Sequence, residues 1–184
     1  MPVTHVALLR GINVGRAKRV AMADLRALVE GLGYADARTL LNSGNVVFTA
    51  RGTTGASAGA RIEKALVKEL GVPARTIVLT ARELAVAVEA NPLLDVAGDP
   101  SRFLIAFLAD AADRARLRPL EKEKWGREAI ALGTRVAYLW CADGILTSPV
   151  ATAVGRALGD GVTSRNWTTV LKLHQMASPV REAK

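Results

Sequence analysis

The sequence predicts an α+β protein made of two ferredoxin-like halves that pack together, residues 1–92 and 93–184, joined through residues 91–100. In each half, β-rich runs and amphipathic runs follow the order β-α-β-β-α-β with one added helix. Capping residues and glycines mark the helix ends in both halves. Residues 103–108 and 136–141 are apolar on both strand faces, so the second face of that sheet should be covered by the partner half, by the added helices or by a second subunit, and we favour the partner half.

The elements of the first half follow from apolar spacing and stop signals. In order, they are a strand, a helix, two strands, a helix, a strand and the added helix: residues 5–10, 22–32, 38–41, 46–50, 58–70, 75–79 and 81–90. The Asn-Ser-Gly-Asn sequence at 42–45 is typical of a hairpin turn. Ser57 and Gly71 fit the cap and the stop of the second helix. Thr80 and Glu83 form a capping-box pattern that predicts the added helix.

The second half repeats this order with its own signals. Its elements are residues 102–108, a helix over 113–125 interrupted at Pro119, strands 129–132 and 136–141, a helix over 149–158, a strand over 162–165 and an added helix over 167–177. Ser148 fits the cap of the helix that starts at Pro149, and Gly159 fits its stop. Asn166 or Thr168 is the expected cap of the last helix.

Large apolar side chains in these strands and in the last helix are expected in the core, namely those of Phe103, Phe107, Trp140, Trp167 and Leu171. Cys141 is the only cysteine, which excludes an internal disulfide and a cysteine cage for a metal, and it is expected to be a small core residue. His5 and His174 are the only histidines, so with a single cysteine the sequence predicts no zinc site. We also expect no cofactor.

The charge of the chain favours an anionic partner. The formal net charge is +8, and half of this excess lies in residues 1–20, where Arg10, Arg16, Lys18 and Arg19 precede the first acid, Asp24. An arginine-rich composition that reflects genome base content explains the same excess as solvated surface charge. No apolar run is long enough to span a bilayer and the N-terminus lacks a signal-peptide pattern, so we expect a cytoplasmic protein with no membrane partner.

The connection between the first strand and the first helix, residues 9–19, is the main candidate for ligand binding. Its glycines allow a turn with exposed amides, and the helix N-terminus that comes next favours anions. Only three residues separate Gly11 from Gly15 and no lysine follows directly, so the loop is not a Walker motif, and it also lacks the three spaced glycines of a dinucleotide fingerprint. A tight turn with solvated basic residues explains the segment equally well.

Ferredoxin-like topology brings the turn at residues 42–45 beside this loop, because the first and second strands run parallel and end at the same edge. Short polar and basic side chains there can share a phosphate or carboxylate, although Asn-Ser-Gly-Asn is also ordinary turn chemistry. Arg165, at the polar end of the last strand, is a further candidate. The predicted ligand-binding residues are Arg10, Gly11, Asn13, Gly15, Arg16, Lys18, Arg19, Ser43, Asn45 and Arg165.

Four segments carry a resemblance to a known family. They are Leu-Leu-Arg-Gly-Ile-Asn-Val-Gly at 8–15, Met-Ala-Asp-Leu at 22–25, Ser-Gly-Asn-Val-Val-Phe at 43–48 and Arg-Asn-Trp-Thr-Thr-Val-Leu-Lys at 165–172. Together they resemble the signature of the bacterial family called domain of unknown function 1697, whose members are small conserved hypothetical proteins. The resemblance implies a pair of ferredoxin-like units and no known activity. The chain departs from the pattern at Arg16 and Ala21, where members usually carry glycine and proline.

Three functions remain open from the sequence. The first is a binding module that holds a nucleotide or a nucleic-acid backbone on the basic loop; an aromatic content of 4% disfavours base stacking. The second is a small enzyme that acts on a phosphorylated or acyl-phosphate substrate, by fold analogy with acylphosphatases. No catalytic residue is assigned, because the chain has no Gly-x-Ser-x-Gly elbow and no acid pattern beside either histidine. The third is a protein-interaction domain without a ligand.

Overall fold

The structure, a computed structural model, describes residues 1–15, 18–96 and 98–178. The chain forms two compact units. The first comprises Met1–Ala85 and the segment that begins at Leu173, and the second comprises Val86–Lys172. Each unit contains one four-stranded sheet in which all pairings are antiparallel.

The first unit is a βαββαβ arrangement. Its elements are β1 (Val3–Leu9), α1 (Met22–Gly31), β2 (Ala35–Leu40), β3 (Asn45–Ala50), α2 (Gly55–Leu70), β4 (Thr76–Thr80) and the start of α3 (Ala81–Glu89). The strand order is β2-β3-β1-β4. One buried cluster joins the sheet to α1 and α2 through residues such as Leu9, Phe48, Leu25 and Ile62. The amphipathic helices thus bury their apolar faces on the sheet.

The second unit repeats the arrangement. Its elements are β5 (Phe103–Leu108), α4 (Arg114–Glu121), β6 (Ala129–Leu132), β7 (Val136–Trp140), α5 (Pro149–Leu158), β8 (Val162–Asn166) and the start of α6 (Trp167–Ala177). The strand order is β6-β7-β5-β8. Leu117 of α4 and Val154 of α5 pack in one cluster with Leu139 of the sheet. The predicted α+β fold with two ferredoxin-like halves is therefore confirmed.

Most helix ends follow the predicted signals. The Thr80 hydroxyl accepts a hydrogen bond from Glu83 N (3.1 Å), and the Glu83 carboxylate accepts one from Thr80 N (2.8 Å), which is the predicted capping box. Gly71 ends α2 with φ +67°. Ser57, however, is not the cap of α2. The helix begins earlier, and Thr54 accepts from Ser57 N (3.1 Å) because Thr54 holds the extended backbone that a capping residue needs.

In the second unit, Ser148 caps α5 by accepting from Ala151 N (3.1 Å) and Pro149 is the first helical residue, as predicted. Asn166, rather than Thr168, caps α6 by accepting from Thr169 N (2.9 Å). Helix α4 ends at Glu121, earlier than predicted. There the indole N–H of Trp125 donates to Leu120 O (2.8 Å) and satisfies a carbonyl at the helix end.

Of the predicted core residues, Phe103, Phe107 and Trp167 are buried, and the rings of Phe103 and Trp167 contact each other with centroids 5.5 Å apart. Trp140 is half-buried. The prediction for Leu171 is wrong, because its side chain is 41% exposed. The buried face of α6 instead continues from Trp167 through Val170, Leu173 and Ala177. Cys141 lies in the core as predicted, and burial raises the pKa of its thiol.

No helix in the described part of the chain combines the length and apolar character that a membrane span requires. Within the same residues, no group of three or more His, Cys, Asp and Glu side chains is arranged to hold a metal ion.

Candidate functional site

The β1–α1 connection and the turn between β2 and β3 meet at one edge of the first unit. Leu9 N donates to Gly44 O (2.8 Å), and Arg10 N donates to Arg75 O (2.8 Å) just before β4. These bonds confirm that the turn lies beside the loop. We call residues 10–15, 18–21 and 41–45 the loop edge.

The turn approaches the loop so closely that only glycine fits at position 44. The backbone of Gly44 has φ +78°, a left-handed conformation that side chains disfavour. A Cβ atom at this position would lie 2.7 Å from Leu9 Cβ and 2.8 Å from Ile12 Cδ1. Ile12 is 2% exposed, so it anchors the loop in the core beneath the turn.

Asn13 holds the loop closed. Its Nδ2 donates to Val20 O and to Asn42 O, both at 2.8 Å, and its Oδ1 accepts from Val20 N at 2.9 Å. Its backbone N–H donates to Lys18 O (3.0 Å). Both amide hydrogens and the amide oxygen of Asn13 are thus engaged within the loop edge. We therefore assign Asn13 to the scaffold of the site.

Backbone strain is concentrated at this edge. Of the four non-glycine residues with positive φ in the described part of the chain, Asn13, Lys18 and Leu41 lie here, with φ of 56°, 52° and 55°. Gly11 and Gly15 are also left-handed. A left-handed L-residue costs about 1–2 kcal/mol, and such strain clusters at ligand-binding and catalytic sites. The surrounding contacts thus hold the loop in a shape that its sequence does not favour.

Unpaired positive charge lies beside the N-terminus of α1. Lys18 and Arg19 are exposed, and neither makes an ion pair or a side-chain hydrogen bond among the described residues. Ala21 occupies the capping position of α1 and has no side-chain acceptor for the first-turn amides, although Asp24 offsets part of the helix dipole. A cavity of about 360 Å³ opens at this point, lined by Asn13, Arg19, Val20, Ala21, Met22 and Asn42.

The remaining predicted residues of the first unit take different places. Gly11 and Gly15 are exposed and Arg10 is half-buried. Ser43 is exposed, and its hydroxyl accepts from Asn45 Nδ2 (2.9 Å). Asn45 is fully buried and also donates to Leu40 O (2.9 Å), so it supports the turn from inside. Arg16 lies outside the described residues.

Arg165 belongs to β8 of the second unit and is nine-tenths buried. Its Nη1 donates to the Thr163 hydroxyl (2.9 Å) and to Ser164 O (2.8 Å). Burial lowers the pKa of its guanidinium to about 10, so it still carries a positive charge at neutral pH.

Sequence reasoning left Asn42 out of the site residues, although its carbonyl closes the loop through Asn13 and the residue lines the cavity. The sequence signal that could identify Asn42 is its position at the start of the predicted hairpin turn.

The comparisons with known proteins fit this fold and name no ligand. The family described as "Protein of unknown function (DUF1697)" matches residues 3–138, a span that includes the whole loop edge. The chain is also similar to a solved structure, that of the conserved bacterial protein SP0830 from Streptococcus pneumoniae, with 21% identity and a TM-score of 0.75 over 97% of this chain and 100% of that chain. At this identity the similarity shows the fold alone. No curated protein matches the chain.

Proposed function

Since this chain belongs to DUF1697, a protein family of unknown function, we propose a function from its own geometry. It binds a phosphate-bearing ligand, either a nucleotide or a nucleic-acid backbone, at the loop edge. We also propose that the protein is cytoplasmic, a location that suits this class of ligand.

The observation that carries this proposal is the pair of unpaired cations, Lys18 and Arg19, beside the uncapped N-terminus of α1. A helix N-terminus favours an anion by about 0.3–1 kcal/mol at an exposed position. Arginine adds charge-assisted hydrogen bonds that match phosphate oxygens, and lysine adds a point charge. Because Asn13 and the left-handed backbone already fix the described part of the loop, the ligand does not have to order that part on binding.

The composition of the loop edge favours contact with phosphate rather than with a base. None of residues 10–21 and 41–45 is aromatic, so the loop edge offers no platform on which a base can stack. Binding of this kind depends on the phosphate charge and not on the base sequence of the nucleic acid, and it weakens as the salt concentration rises.

Fluorescence anisotropy of the full chain with labelled single-stranded RNA and DNA, and with labelled ATP, tests the proposal across a series of salt concentrations. The double variant Lys18→Gln/Arg19→Gln should bind about tenfold more weakly, because two exposed charge contacts are lost. For a single-stranded nucleic acid, each lost contact should flatten the slope of log affinity against log salt by about 0.7.

Lys122→Gln/Lys124→Gln is the matched control. It removes the same charge from exposed positions of the second unit, so it should change affinity and slope much less. If the wild-type chain shows no salt-dependent binding to any of these probes, the protein-interaction function takes the place of this proposal.

A further inference from the structure

A second cavity, of about 390 Å³, lies at the opposite end of the first unit's sheet. It is lined by residues where β1 and β2 begin and where β3 ends, including Pro2, Asp36 and Arg51. Because β3 runs from Asn45 at the loop edge to Ala50 here, about 17 Å of strand separates the two places. The volume lies within the range of small-molecule sites.

Arg61 is held in one orientation at this cavity. Its Nη1 donates to the Tyr34 hydroxyl (3.2 Å), its Nη2 donates to Leu32 O (2.7 Å), and its guanidinium lies 5.0 Å from the centroid of the Tyr34 ring. A guanidinium has five N–H donors, so three remain for a ligand. An arginine that is already ordered loses less side-chain entropy when it binds an oxyanion.

The support beneath Arg61 is a column of buried aromatic rings. Tyr34 stacks on Phe48 with centroids 4.7 Å apart, and Phe48 stacks on His5 at 5.4 Å. His5 and Phe48 are fully buried and Tyr34 is 6% exposed. The core of the unit therefore fixes the position of the exposed arginine.

Three charged side chains line this cavity without pairing. Arg51, Arg61 and Asp36 make no ion pair with any described residue. Asp36 has φ 54°, and the β2–β3 register shifts between Ala35 and Arg38. An irregularity of this kind often redirects a side chain next to an active site. Two cations and one carboxylate at one cavity complement a molecule that carries both charges.

We propose that this cavity binds a small molecule in which a phosphate or carboxylate group lies near an ammonium group. Arg61 and Arg51 bind the oxyanion, and the Asp36 carboxylate accepts hydrogen bonds from the ammonium group. The site is separate from the loop edge and does not depend on the function proposed there.

Two matched pairs of probes test the proposal by NMR titration of the ¹⁵N-labelled full chain. O-phosphoethanolamine differs from ethyl phosphate, and β-alanine from propionate, chiefly by the ammonium group. All four should saturably shift the amides of Gly33, Thr49 and Arg51, and the ammonium compound of each pair should bind about threefold more tightly, the size of one exposed ion pair. Asp36→Asn should remove that preference and leave the binding of ethyl phosphate no weaker.

Arg61→Gln should weaken the binding of every probe about tenfold, because hydrogen bonds to a charged group are lost. Arg82→Gln removes the same charge from an exposed position of the same unit that does not line the cavity, and it should leave affinity unchanged. If Arg61→Gln does not fold, Arg51→Gln decides the question, since the Arg51 side chain has no hydrogen bond or ion pair to lose among the described residues.

Two results overturn the inference. One is the absence of saturable shifts at Gly33, Thr49 and Arg51 at millimolar concentrations of all four probes. The other is a set of shifts confined to the loop edge that disappears in Arg19→Gln, which would leave the proposed function standing and remove this second site.

Discussion

The two units make the same backbone bonds at the end of their first strand, but the segment between that strand and the first helix is basic in the first unit and acidic in the second. The bonds are Leu9 N to Gly44 O and Arg10 N to Arg75 O, both 2.8 Å, in the first unit, and Leu108 N to Arg135 O (2.9 Å) and Ala109 N to Gly161 O (2.8 Å) in the second. The fold thus brings the end of the first strand, the hairpin turn and the start of the fourth strand together in both units.

The segment after the first strand differs between the units. In the first unit, residues 10–21 connect β1 to α1; in the described part of this connection Lys18 and Arg19 are exposed, and α1 is uncapped. In the second, Asp110 lies directly after the strand end and its carboxylate accepts from Ala112 N (2.8 Å), while Asp113 pairs with Arg116 at 3.2 Å. Acids already occupy the positions where an anion would bind. A unit of this fold does not need the long basic loop, which is why we attribute it to function.

The largest effect expected from this contrast is on stability in the second unit. Trp167→Ala removes a buried side chain that contacts the Phe103 ring, and such truncations typically cost about 3–5 kcal/mol of unfolding free energy. If the second unit serves the fold and the first binds the ligand, the folded variant should still bind the anionic probes of the anisotropy assay with wild-type affinity. Urea denaturation measures the loss of unfolding free energy. An unfolding free energy equal to that of the wild type would place Trp167 outside the packed core.

A smaller loss of stability is expected at the turn of the first unit, where the second unit carries Arg135 in place of glycine. Gly44→Ala places a Cβ atom 2.7 Å from Leu9 Cβ on a left-handed backbone, so the cost is about 2–4 kcal/mol of unfolding free energy. Gly52→Ala is the control, because Gly52 is left-handed with nothing within 4 Å of the added atom, and it should cost about 1–2 kcal/mol. Equal losses in the two variants would mean that the turn can move away from the loop.

Local signals predicted the order of the elements and most helix ends. The capping box at Thr80 and Glu83 and the cap at Ser148 depend on residues three apart, so the sequence alone shows both partners. The proximity of the hairpin turn to the loop also followed from topology, because strand direction fixes which ends of the strands meet.

Individual side-chain contacts between distant segments could not be predicted. Asn13 bonds to Asn42 across 29 residues, and Arg61 bonds to Tyr34 across 27, so neither the scaffold role of Asn13 nor the second cavity has a local pattern. The prediction that Leu171 is buried failed for a related reason. Its helix carries apolar residues on more than one face, and which face is buried depends on what packs against the helix.

The smallest stability change concerns Ala21, where a single substitution adds an acidic residue at the start of the first helix, the position that Asp113 holds in the second unit. Ala21 is exposed and has the extended backbone of a capping residue, φ −70° and ψ 140°. Ala21→Ser and Ala21→Asp should each accept a hydrogen bond from a first-turn amide of α1 and raise the free energy of unfolding by about 1 kcal/mol. The same bond occupies an amide proposed to face the ligand phosphate, so both variants should bind anionic probes more weakly.

The two substitutions separate hydrogen bonding from charge. Serine blocks an amide without adding charge, whereas aspartate also repels a phosphate, so affinity should fall from wild type to Ala21→Ser and further to Ala21→Asp. Only the second step should diminish as salt rises, because screening acts on the added charge and not on the neutral bond. Thermal denaturation and the anisotropy assay measure the two quantities on the same samples. A gain in stability with unchanged affinity in both variants would place the ligand away from the α1 N-terminus and leave Lys18 and Arg19 to bind it by charge alone.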